Sequence, residues 1–266
     1  MKNETSLQVK QHLDKLMAAG RYCFTTQEAS TAFDLSPSAV KQALNRLCHK
    51  GEVASPARGF YVIVPPEYRT LGCLPADQFI PTLIKQTGKH YYAGLLSAAQ
   101  YHGAAHHRPQ AFQVMIGNPR RAITCGKVRI TFYVCKRLSN VPTQTVNTPR
   151  GTILISTPEA TAFDLVGYES KIGGLDAVAT VLMDLSAKLN AKTLAEIAPR
   201  MPLHWAQRLG WILEHIGQAP KAKHLKNYVH RHAKNAIALQ PRSGTKNITR
   251  NNDWKLIINT DIEAEL

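Results

Sequence analysis

Three groups of side chains have the types and spacing that could carry chemistry. Asp164 with Glu169-x-Lys171 matches the carboxylate and E-x-K pieces of a metal-dependent nuclease, which needs two carboxylates on neighbouring strands to hold Mg²⁺ beside a lysine. The apolar stripe Ala162, Phe163, Leu165 and Val166 instead puts Asp164 inside a helix and Glu169 just past its end, so these read as helix charges. His102, His106 and His107 have a ligand-like i, i+4, i+5 spacing. No carboxylate or cysteine lies nearby in sequence and Arg108 follows at once, so a turn that tucks one imidazole against backbone is expected rather than zinc. Lys171-Ile172-Gly173-Gly174 lacks both the spacing and the following hydroxyl of a phosphate loop. No Ser-His-Asp or Cys-His order stands out. The expectation is a non-enzyme without a metal or cofactor.

A fourth group suits binding. Ser38, Lys41, Gln42, Asn45 and His49 fall on one side of a helical repeat, with Arg46 at its flank. Such residues hydrogen-bond base edges or phosphates from the major groove. Val40, Ala43, Leu44 and Leu47 take the opposite, core-facing side. The neighbouring sequence supplies the frame. Thr25 and Glu28 form a T-x-x-E capping box that starts a short helix bearing Ala29, Ala32 and Phe33. Asp34-Leu35-Ser36-Pro37 makes a turn, with Ser36 as N-cap and Pro37 at the first helical position. The second helix runs to about Lys50, and Gly51 stops it. Glu52–Ala54 and Phe60–Val64 then read as two strands joined by a tip, Ser55–Gly59, on which Arg58 is placed to touch a phosphate or the minor groove. Helix, turn, helix and basic-tipped hairpin together predict a winged helix-turn-helix that contacts DNA. The competing readings are a merely solvated helix face and a winged helix that docks protein.

Charge supports a polyanionic partner. The chain has 266 residues and a formal net charge of +15, with a pI near 9.7. The excess comes in blocks. Residues 1–72 hold nine Lys/Arg against six Asp/Glu, whereas from Gln78 to Pro158 ten basic residues face no acid at all. Residues 159–199 reverse the sign, and 200–250 carry ten Lys/Arg against the single acid Glu214. The C-terminal part therefore meets nucleic acid or an acidic protein. The basic residues Arg120, Arg121, Lys127 and Arg129 are the candidates for an auxiliary nucleic-acid surface, against the alternative of scattered solubility charges. There is no apolar run of membrane-spanning length and no signal-peptide core at the N-terminus, so the expectation is a cytoplasmic protein without a membrane partner. The five cysteines, Cys23, Cys48, Cys73, Cys125 and Cys135, form no C-x-x-C pair and read as free thiols, most of them buried.

The rest of the chain predicts an α+β protein, in which an N-terminal winged helix-turn-helix domain (1–70) precedes a larger mixed α/β domain (73–266). A helix from about Ser6 to Ala19 should pack under the winged helix through Leu7, Val9, Leu13, Leu16 and Met17. Pro65-Pro66, Gly72 and Pro75 mark a linker. Helices are expected at 79–85, at 91–102, from Thr157, and at 175–189, 193–199 and 203–217. Strands are expected at 112–116, 128–134, 151–155 and 254–258. The basic stretch 221–250 loses periodicity after about Leu239 and reads as a mobile or nucleic-acid-ordered segment.

Five segments in this order, HKGEVASPARGFYVIV, YYAGLLSAAQYHGAAHHRPQAFQVMI, STPEATAFDLVGY, AQRLGWILEHIG and NNDWKLIIN, resemble the AbiEi family, the antitoxins of abortive-infection type IV toxin–antitoxin systems. The resemblance spans nearly the whole chain, and 221–250 is its least characteristic part. It implies a winged helix that binds operator inverted repeats and represses its own operon. It also implies a C-terminal domain that counters a nucleotidyltransferase-like toxin of the AbiEii family without a stable complex, and in some members assists DNA binding. Carried over by position, the DNA-reading residues are Ser38, Lys41, Gln42, Asn45, Arg46 and His49, with Arg58 on the wing. The resemblance names no residue for antitoxicity. Two other functions compete: a regulator of a mobile element whose C-terminal domain senses a ligand or dimerises, and a nuclease or nucleotidyltransferase partner domain.

Overall fold

The computed structural model describes residues 2–33, 36–104, 109–241 and 248–264. The turn residues Asp34 and Leu35, the histidines His106 and His107, and residues 242–247 of the basic stretch lie outside the described residues, as do the side chains of Leu7 and Phe33. The protein is α+β and divides by internal contacts into two compact units. The first comprises 1–91, 110–134 and 145–153, and the second comprises 92–109, 135–144 and 154–266. The expected boundary at 70–73 falls inside the first unit.

That unit opens with α1 (Lys2–Ala18), β1 (Cys23–Thr25), α2 (Thr26–Phe33) and α3 (Pro37–His49). The strands β2 (Val53–Ala57) and β3 (Phe60–Ile63) follow and complete a three-stranded sheet in the order β1-β3-β2. The capping box forms as expected: Thr25 N–H donates to Glu28 Oε2 at 2.7 Å, and Glu28 N–H donates to Thr25 Oγ1 at 3.1 Å. Ser36 Oγ accepts from Ala39 N–H at 3.3 Å and starts α3. Gly51 takes a φ of +68°, the left-handed conformation that closes the helix.

β3 is buried along its whole length and explains how the unit is knit. Tyr61 and Ile63 point into a core with Val9, Leu13 and Leu16 of α1 and Val40, Ala43, Leu44 and Leu47 of α3. Phe60 and Val62, on the opposite face, join a second core with Cys73, Leu74, Phe79, Ile80, Val114 and Ile130. The alternation of a strand thus serves two cores at once. The segment expected to be a linker is packed instead: Pro66–Tyr68 is a 3₁₀ turn, and Cys73 and Leu74 are fully buried. Prolines break local hydrogen bonding, but they do not prevent flanking apolar residues from entering a core.

The second core is built by α4 (Ala76–Lys85) and by the strands that follow it. The expected 91–102 helix is divided. Tyr91–Ala93 is strand β4, Gly94 is extended, and α5 runs only from Leu95 to Tyr101. Leu95, fully buried at a φ of +54°, marks the break that its helix-favouring composition hid. In the first unit β5 (Phe112–Ile116) pairs in parallel with β7 (Val128–Val134). β6 (Ile123–Cys125) pairs antiparallel with β7, Thr124 opposite Arg129. β8 (Thr143–Thr148) and β9 (Gly151–Ser156) follow.

The second unit is mainly helical: α6 (Pro158–Gly167), α7 (Leu175–Leu185), α8 (Ala191–Ile197), α9 (Leu203–His215) and α10 (Ala219–His232). Thr157 caps α6 through its side-chain oxygen. The start of the stretch expected to be mobile is instead the regular helix α10, held by fully buried Ala222, Leu225 and Val229. These apolar positions follow a helical spacing that the surrounding basic residues obscure in composition. Three short strands, β10 (Ile237–Ala238), β11 (Thr249–Asn251) and β12 (Leu256–Ile258), form a small sheet in the order β10-β12-β11. Fully buried Trp254 donates from Nε1 to Glu214 Oε2 at 2.7 Å.

Candidate nucleic-acid interface

α3 is two-faced, as its sequence pattern predicts. Val40, Ala43, Leu44 and Leu47 are buried, while Ser38, Lys41, Gln42, Asn45, Arg46 and His49 are all exposed. Ser36 and Ser38 share a 3.0 Å hydroxyl contact at the helix start, the end that meets base edges first in this class of motif. The wing is longer than the sequence reading predicts. β2 continues to Ala57, with a bulge between Ala54 and Ala57, and Ala57 pairs with Phe60 across the two-residue turn Arg58-Gly59. Gly59 has a φ of +73°, which the turn requires, and its carbonyl accepts from Thr26 N–H at 3.0 Å. Arg58 is exposed at this tip.

The candidate auxiliary residues lie in the same unit, on the β6–β7 hairpin and just before it. Arg121, Lys127 and Arg129 are exposed. Arg120 is half-buried, its guanidinium 5.1 Å from the centre of the Phe132 ring, and burial lowers its pKa from the usual arginine value. Lys127 is at the hairpin turn, where its N–H donates to the Leu71 carbonyl at 2.7 Å.

The residues considered for catalysis are placed otherwise. Asp164 is fully buried within α6, Tyr92 Oη donates to its Oδ2 at 3.0 Å, and its Oδ1 has no hydrogen-bond partner among the described residues. Burial raises its pKa to about 7, opposed by the Tyr92 hydrogen bond. Glu169 and Lys171 lie on a 3₁₀ turn after the helix. His102 is buried, its Nε2 2.8 Å from the Ser156 carbonyl oxygen, as expected of an imidazole tucked against backbone. Burial lowers the pKa of His102, while the Ser156 hydrogen bond opposes that shift. Among the described residues no three His, Cys, Asp or Glu side chains cluster to hold a metal. No helix among them is long and apolar enough to cross a membrane.

The sequence reading missed Arg150. Its side chain, only 13% exposed, donates to Gln78 Oε1 at 2.8 Å and to Glu67 Oε1 at 2.7 Å, and it stacks on Tyr22 and Tyr68. A single arginine in a Pro-Arg-Gly turn gives no spacing signal by which to find it.

The exposed stripe of α3, the helix pair and the hairpin define a winged helix-turn-helix protein of the α+β class. Comparison with known families narrows this. Residues 11–64 match the family described as transcriptional regulator, AbiEi antitoxin, and residues 92–215 match the AbiEi antitoxin C-terminal domain. The chain belongs to the AbiEi antitoxin family. Among solved structures it is similar to the RV2827C protein from Mycobacterium tuberculosis, with a TM-score of 0.66 and 14% sequence identity over 94% of this chain and 91% of that one. At that identity the likeness is one of fold. None of the curated proteins matches the chain.

Proposed function

We propose that the protein is the antitoxin and autorepressor of a type IV toxin–antitoxin system. In this reading the winged helix binds double-stranded operator DNA at inverted repeats and represses its own operon. Ser38, Lys41, Gln42, Asn45, Arg46 and His49 read the major groove, and Arg58 contacts phosphate or the minor groove. The observation that carries it is the exposed polar stripe of α3 beside a basic wing tip, in a chain that belongs to the AbiEi antitoxin family.

Arg120, Arg121, Lys127 and Arg129 add sequence-independent affinity through phosphate contacts. The C-terminal part counters a nucleotidyltransferase-like AbiEii toxin without forming a stable complex with it, and the protein works in the cytoplasm as a binding protein rather than an enzyme. The test is paired. A gel shift on the DNA upstream of the gene examines repression, and co-expression with a nucleotidyltransferase-like toxin of the AbiEii type examines antitoxicity. Operator binding without growth rescue would favour the second reading, a regulator of a mobile element whose C-terminal part senses a ligand or dimerises.

A further inference from the structure

The first unit holds two thiols, Cys73 and Cys125, to which DNA binding assigns no role. Cys73 and Cys125 are far apart in sequence, yet the chain brings their neighbourhoods into backbone contact. Lys127 N–H donates to the Leu71 carbonyl at 2.7 Å, and a Cβ on Gly126 would collide with the Leu71 carbonyl and the Gly72 backbone. Two glycines, with φ of +71° at Gly72 and +57° at Gly126, permit this approach. Across it the two thiols lie next to each other, Cys73 inside an apolar core and Cys125 packed against that core. Ser55 lies beside Cys125, in the part of β2 that packs on β6 and where a bulge interrupts pairing with β3. Cys125 is half-buried, whereas Cys73 is fully buried.

We propose that Cys125 and Cys73 are a peroxide-oxidisable thiol pair, in which Cys125 meets the oxidant and Cys73 closes the disulfide. The neighbouring Cys73 thiol, and after it the Ser55 amide, hold the pKa of Cys125 below the ordinary cysteine value, and its thiolate is the reactive form. That thiolate attacks one oxygen of hydrogen peroxide. The O–O bond breaks, an S–O bond forms, and the departing hydroxide takes up the proton that Cys125 released. The Cys73 sulfur then attacks the sulfenic sulfur, the S–S bond forms, and the S–O bond breaks. The second hydroxide leaves with the Cys73 proton as water. Two thiols are oxidised and one peroxide is reduced to two waters. A more accessible, activated thiol beside a sheltered resolving thiol is an arrangement common among redox-responsive cysteines. The disulfide would tie the β6–β7 hairpin to the segment that follows the wing.

The test uses the full chain, reduced, freed of reductant and exposed to excess hydrogen peroxide. Peptide mapping without reductant should find Cys73 joined to Cys125, with the intact mass lower by two hydrogens. Cys73→Ser, which keeps a donor beside Cys125, should instead stop at a sulfenic acid on Cys125 that a dione reagent traps, and Cys73→Ala should form the same sulfenic acid more slowly. Two replacements guard against misfolding of either one. Cys48 also lies close enough to Cys125 to interact with it, so it is the informative competitor. A disulfide joining Cys125 to Cys48, or labelling of Cys125 no faster than of Cys48, would overturn the assignment. Cys48→Ser should leave the Cys73–Cys125 bond unaffected.

Discussion

The guanidinium of Arg150 lies 4.3 Å from the centre of the Tyr22 ring. Tyr22 immediately precedes β1 of the winged helix, and Arg150 sits in the turn between β8 and β9. The same guanidinium lies 5.1 Å from the Tyr68 ring and donates to Gln78 and Glu67. One side chain thus anchors the root of the winged helix to residues far away in sequence, in a geometry that a flat, five-donor head group can satisfy.

Arg150→Ala should lower the unfolding free energy by about 1–3 kcal/mol, the range for losing stacking and charge-assisted hydrogen bonds at a largely sheltered site. Arg150→Lys should recover little of it, because an ammonium cannot donate to both partners while lying flat between two rings. Urea denaturation followed by circular dichroism measures both. Wild-type stability in Arg150→Ala would show the contact to be incidental.

Base reading is assigned to the middle of α3. Replacing Gln42 or Asn45 with alanine should weaken binding to the native operator by about 1–3 kcal/mol for a side chain that makes a bidentate base contact. Discrimination against scrambled DNA should fall with it. Gel-shift titration on both DNAs gives the answer, and unchanged affinity on both would refute the assignment of α3 as the reading helix.

The wing should behave differently. Arg58→Ala should weaken native and scrambled DNA alike, and reduce the slope of log affinity against log salt by about one if the side chain neutralises one phosphate. A loss confined to the native operator would make Arg58 a base reader instead.

How much of this was legible in sequence depended on how local the signal was. The capping box, the Ser36 cap and the stripe of α3 rest on contacts within a few residues, and they appear where the spacing puts them. The His102 contact with the Ser156 carbonyl bears out the expected tucked imidazole, although its partner could not be named. Longer-range features were hidden. β1, β4 and β6 are three residues each, too short for a periodic signal, and exist because β3, β9 and β7 pair with them. The Pro65–Pro75 stretch has the composition of a linker, but Cys73 and Leu74 are buried by residues more than thirty positions away. Arg150 and Tyr22, and Cys73 and Cys125, are farther apart still in sequence.

Asp164 makes stability depend on pH with a definite sign. Its folded pKa, raised by burial from 3.8 to about 7, means that the folded state binds the proton more tightly than the unfolded state does. Its stabilising share is therefore complete below the unfolded pKa and is lost as pH rises from about 4 to about 7, by at most about 1.4 kcal/mol per pH unit. Asp164→Asn cannot ionise and should remove this slope. Thermal melts of both proteins across that range test it, and parallel profiles would contradict the buried, proton-holding carboxyl.

We infer that this winged-helix protein neutralises a toxin as well as regulating transcription. The most direct measurement is growth of cells that express a nucleotidyltransferase-like toxin of the AbiEii type, with and without induction of the full-length chain from a separate promoter. Arrest by the toxin alone and recovery on induction are expected. Recovery is also expected with the Gln42→Ala, Asn45→Ala double variant, since operator reading is assigned to α3 and antitoxicity to the C-terminal part. Continued arrest in the presence of folded, abundant wild-type protein would contradict that inference.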